Sequence, residues 1–128
     1  MDLLRITVKV IGWLTVGSGA VQLVAPEFVL GIVSAKIDGT TSHFFAIVGM
    51  FMVLFGGLLL HALATEPPTL HHRVALLWCA LQKLGASAAV GLGVVHDVFS
   101  PLAVAIAGFD LVSGVIIWRY RARGPRRP

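Results

Sequence analysis

Charge is scarce in this chain. Only 12% of its 128 residues are Asp, Glu, Lys or Arg, and six of them are acids. A soluble globular domain carries about 25% charged and roughly 45–50% apolar residues. Here 57% are hydrophobic and mean hydropathy is +0.90, which points away from a fold bathed in water and toward a membrane. Cysteine occurs once, at Cys79, so no internal disulfide can form. In an apolar helix its default role is that of a small buried thiol. CxxC, HExxH and Walker sequences are absent, as is any nucleophile–base pattern. The residues thus imply no cofactor and no metal site, and they show no positive sign of an enzyme.

What the chain has instead is long oily runs. A spanning helix needs about 20 mostly apolar residues, and four such runs lie at about 3–24, 43–65, 73–95 and 101–120. They leave a basic tail at 121–128 and no space for a separate soluble unit. The expectation is one transmembrane domain over 1–128: an all-α, antiparallel four-helix bundle. The start of the first run, with Arg5 and Lys9, an apolar core and Ser18–Gly19–Ala20, also resembles a secretory signal. The apolar run continues to Val24, which favours a span.

Between the first two runs, Pro26 and Glu27 read as a helix start, proline first and then an acid at the positive dipole end. Phe28, Val29, Leu30, Ile32 and Val33 form a patch too short to span. It is expected to lie along the surface or tuck into the bundle mouth. Asp38–Gly39 reads as a turn, Ser42 as the cap of the second span, and Glu66–Pro67–Pro68 as its end. The third span is expected from Arg73, with His71 and His72 outside it. The loop at His96–Pro101 is short, so the last two spans must be neighbours.

Net charge is +4, yet five of the ten Lys/Arg fall in the last ten positions. A basic tail after an apolar helix is a cytoplasmic anchor, attracted to anionic lipid rather than to nucleic acid. With four spans both termini share one side. That side gathers Arg5, Lys9, Arg73 and the terminal arginines, while Lys36 alone stands on the other. Both termini are therefore expected in the cytoplasm, with Trp78 and Trp118 as interfacial anchors on the same face.

Two charges stand inside the oily runs. Lys83 is ten residues beyond Arg73 and Asp110 is nine before Arg119. At about 1.5 Å per residue both lie about 14–15 Å deep, near the middle of a core roughly 30 Å thick. Equal depth on neighbouring helices is what a salt bridge requires. The pair either pins helix register or forms a polar site for a proton, a headgroup or a quinone-like ring. Gln82, beside Lys83 but about 100° round the helix, is counted with the pair as a third candidate for ligand binding or proton transfer, although it is expected to face another neighbour. Near the outer face, Gln22, His43, His96 and Asp97 form a second polar group, as helix ends commonly do.

Glycine is the other clear signal. Gly12 and Gly19 mark the first span, and Gly49, Gly56 and Gly57 the second. Gly85, Ala89 and Gly93 mark the third, and Ala103 and Ala107 the fourth. Rows of small residues let helix backbones approach closely in lipid.

Three stretches, GSGAVQLVAP at 17–26, AIVGMFMVLFGGLLL at 46–60 and FDLVSG at 109–114, resemble the DoxX-like membrane proteins and related families of small four-helix bacterial proteins. The resemblance implies a bacterial inner-membrane protein, in some relatives associated with redox complexes. It carries over no catalytic residue. Three roles stay open. One is an accessory or structural subunit with a membrane-protein partner or a second copy of itself. Another is a binder or carrier of a quinone or lipid. The third is a proton-coupled transporter.

Overall fold

The computed structural model describes residues 2–65 and 68–123. They form five helices: α1 (Leu3–Val24), α2 (Pro26–Ile32), α3 (Gly39–Ala62), α4 (Leu70–Val95) and α5 (Ala103–Ala122). Among the described residues there is no strand. Four of the helices, α1, α3, α4 and α5, are long and apolar enough to cross a membrane. Glu66 and Pro67 of the expected break, and Arg126 and Arg127 of the tail, lie outside the described residues.

Capping side chains set the helix starts, and two differ from expectation. Asp38, not Ser42, caps α3: its carboxylate accepts from the Thr41 N–H at 2.8 Å and from the Thr41 hydroxyl at 2.9 Å. The helix therefore begins at Gly39, and Ser42 is buried inside it. Thr69 caps α4 and accepts from the His72 N–H at 3.4 Å. That places His71 and His72 in the first helical turn rather than on a loop. The last span runs later than expected, from Ala103 to Ala122, because Pro101 and Leu102 form a turn.

The helices associate as two close pairs, α1 with α3 and α4 with α5, which then meet more loosely through α3–α4 and α1–α5. Glycine explains the first pair. A Cβ on Gly49 would lie 2.6 Å from the Leu23 nitrogen and 2.7 Å from the Gly19 oxygen. Backbone rests directly on backbone, gaining dispersion contact that side chains would prevent. In the second pair, Gly114 sits against Ala80 and Leu84. The row on α4 behaves otherwise. Gly85 and Ala89 are exposed, a Cβ on Gly85 would touch nothing within 4 Å, and Gly93 instead seats the Phe99 ring.

The two pairs join at the end that carries the chain termini. Val8, Ile11, Leu59, Leu63, Leu76, Cys79, Ile117 and Tyr120 form one buried cluster there. Arginines close that end. Arg5 donates to the Leu63 carbonyl at 2.6 Å, satisfying a backbone acceptor that the end of α3 leaves open. Arg121 donates to the Arg73 carbonyl at 3.0 Å, and Arg123 pairs with Asp2 at 2.9 Å.

At the other end α2 tucks into the mouth. Leu30 and Val33 are buried, while Phe28 on the opposite face is 64% exposed. Both ends of α2 are tied down. Glu27 accepts from the Ser42 hydroxyl at 3.4 Å, and the Val33 carbonyl accepts from the Ser100 N–H at 2.8 Å.

Candidate functional site

Helical spacing aims the two charges within the apolar helices inward. On α4 the buried residues Leu76, Cys79, Ala80 and Lys83 recur at the three- and four-residue intervals of one helix face. On α5 the face runs through Ala103, Ala107, Ser113, Gly114 and Ile117, and Asp110 falls on it between Ala107 and Ser113. The two faces oppose each other, and Lys83 Nζ lies 3.0 Å from Asp110 Oδ1. Their side chains are 4% and 13% exposed. The ammonium also lies 5.2 Å from the centroid of the Phe109 ring, within range of a cation–π attraction.

Among the described residues the pair makes no hydrogen bond with protein groups except the one between its own members. An ammonium has three donors and a carboxylate about four acceptor positions. Buried ion pairs are well tolerated only when that remaining capacity is filled. The pair therefore offers both donors and acceptors to a guest.

Space for a guest exists on the α2 side of the pair. One lobe of about 140 Å³ is lined by Gln22, Val29, Val33, Phe45, Val48, Met52, Gln82, Ala86, Val90 and Ile106, with Lys83 and Asp110 in its wall. A second lobe of about 530 Å³ shares Gln22, Met52, Lys83 and Asp110, and extends past Ser18, Val21, Phe28, Ala105 and Phe109. On the chain-end side, Thr15, Phe55, Leu59 and Ile117 leave no room for even a water molecule. The site is thus an ion pair on the floor of a mostly apolar hollow.

Gln82, counted with the pair as a candidate, lines the smaller lobe with Lys83 although it lies round the helix from it, because the hollow spans a wide arc of α4. Gln22, expected in an outer polar group, is buried and lines both lobes, donating to the Phe45 carbonyl at 3.0 Å. The signal was its place seven residues after Thr15 and three after Gly19, on the buried stripe of α1. The other members of that group, His43, His96 and Asp97, are exposed. No hydrogen bond or ion pair joins them to Gln22 or to each other among the described residues. Sequence reasoning did not single out Val29 of α2, Val33 just after that helix, or Met52 of α3 as walls of the site.

Elsewhere, the His61 and His72 ring centroids lie 5.9 Å apart. No three His, Cys, Asp or Glu gather as a metal set among the described residues. Cys79 is buried, its Sγ 3.7 Å from the Phe55 carbonyl. Set beside protein-family models, curated proteins and solved structures, the chain matches none.

Proposed function

We propose that this chain is an integral membrane protein that binds a small amphiphile at the Lys83–Asp110 pair. Its four long helices cross the bilayer as an antiparallel bundle with both termini in the cytoplasm. The inner membrane of a bacterium, and kinship with the DoxX-like proteins, belong to the same proposal. Support for the membrane is the outer surface. Trp13, Phe44, Leu54 and Val112 are all more than half exposed, an apolar surface far beyond what a water-soluble monomer displays. The single observation that supports binding is that the buried ion pair opens onto an apolar hollow instead of being sealed by side chains. An intramembrane charge is costly and usually marks a functional path or site.

Native mass spectrometry of the protein released from mild detergent tests this. The expected result is a small-molecule adduct on the wild-type chain that is lost from a Lys83→Met, Asp110→Leu double variant. Identical spectra for the two chains overturn the proposal.

A second reading, an accessory subunit, draws on the outward row of Gly85 and Ala89 beside the exposed Leu92. Small residues facing lipid are suited to a neighbouring helix. The same spectra test it, since a stable larger partner or a second copy appears as added mass.

A further inference from the structure

We infer that the guest is an uncharged hydroxyl-bearing molecule dissolved in the lipid, an alcohol or phenol with an apolar tail, and that it arrives sideways between α1 and α5. This deepens the binding role proposed above and rests on it.

Charge balance selects the head. Lys83 and Asp110 already compensate each other at 3.0 Å, almost wholly out of solvent. A head with a net charge has no counter-ion left in the hollow, and an unpaired charge in low dielectric is strongly disfavoured. A hydroxyl adds no charge. It can accept from the ammonium and donate to the carboxylate at once, using both kinds of capacity that the pair leaves open.

Topology selects the route. From the aqueous end, α2 lies across the mouth, held to the α4–α5 turn by the Ser100–Val33 hydrogen bond. From the chain-end side the packed cluster closes the way. The larger lobe passes between Ser18 and Val21 of α1 and Ala105 and Phe109 of α5. Its rim is apolar, with Val21 and Phe109 exposed at the outer surface. The Ser18 hydroxyl is turned to its own helix, donating to the Leu14 carbonyl, so it adds no polar barrier at the rim. An alkyl tail can stay in the opening and reach the lipid.

Photolabelling of the full chain in lipid nanodiscs tests the inference. Three probes share one alkyl chain with a diazirine at mid-tail and differ only in a hydroxyl, carboxylate or trimethylammonium head. The expected result is saturable labelling by the alcohol, about tenfold or more above either charged probe. The labels fall on peptides containing Val21, Phe28 and Phe109, and excess unlabelled long-chain alcohol displaces them. Ala105→Trp, which narrows the opening, abolishes this labelling, while Val74→Trp, on an exposed face of α4 that lines neither lobe, leaves the labelled positions unchanged. Circular dichroism confirms that each variant is folded, and smaller Ala105→Leu replaces a variant that is not. Saturable alcohol labelling confined to Val48 and Val90 overturns the sideways route and leaves binding standing. Equal labelling by a charged head overturns the uncharged class. Absence of saturable labelling by every probe overturns the binding role itself.

Discussion

Lys83 and Asp110 come from different helices, 27 positions apart in sequence, and meet at 3.0 Å. Truncating one partner strands the other. Asp110→Ala is expected to cost about 3 kcal/mol, more than Lys83→Met together with Asp110→Leu. Unfolding in mixed detergent micelles, read as a double-mutant cycle, checks this. Purely additive losses show that the two side chains do not interact.

Gly49 and Gly57 share α3 but not its surroundings. Gly49→Ala sets a methyl 2.6 Å from the Leu23 nitrogen, so α1 and α3 must separate, at about 1–3 kcal/mol. A Cβ on Gly57 meets nothing within 4 Å. Gly57→Ala is expected to be neutral or to stabilise by up to about 1 kcal/mol through helix propensity. The same unfolding assay separates the two, and equal effects contradict the close backbone contact.

Two helix ends close through residues in the left-handed region, Ser34 with φ 53° and Asp97 with φ 57°. After Ser34, the Ala35 N–H bonds back to the Leu30 carbonyl at 3.0 Å. After Asp97, the Val98 N–H bonds back to Gly93 at 2.8 Å. This is the Schellman arrangement, which favours glycine at the left-handed position. Ser34→Gly is expected to raise the midpoint of thermal unfolding, by up to about 1 kcal/mol in stability. Asp97→Gly gains less, since aspartate tolerates this region better than most residues. Ser34→Val lowers the midpoint.

The hydrogen bonds from the Thr41 backbone N–H and then its hydroxyl hold the Asp38 carboxyl below the usual carboxylate range, with a smaller contribution from Lys36. The folded state therefore favours the ionised form. That contribution is complete above the ordinary carboxylate pKa and disappears as pH falls through the lowered folded value. Asp38→Asn keeps a capping oxygen without a titrating proton. Thermal unfolding followed from neutral to strongly acid pH is expected to show a smaller acid-side decline in the variant than in the wild type. Parallel curves contradict the assignment.

The elements were legible because four apolar runs of spanning length leave few alternatives. Their starts were not. Asp38 and Ser42 are both competent caps; in the fold Asp38 takes the cap, and Ser42, one turn on, donates instead to Glu27 of another helix, a contact that local sequence does not reveal. The ion pair was legible because depth in a straight helix is a matter of counting, and Lys83 and Asp110 count to the same level. Gln22 was harder. Its stripe on α1 shows that it faces inward, but periodicity carries no information on how far the two helix pairs diverge above the pair. Gly85 illustrates the same limit from outside, since a small-residue row looks alike whether a helix or lipid lies against it.

The packed cluster beneath the ion pair has a consequence for traffic. With Thr15, Phe55, Leu59 and Ile117 filling the space below Lys83, the hollow is a cul-de-sac. Under the binding role proposed above, a molecule that reached the pair would depart through the opening it used, and passage to the far end of the bundle would require Leu63, Leu76 and Ile117 to part.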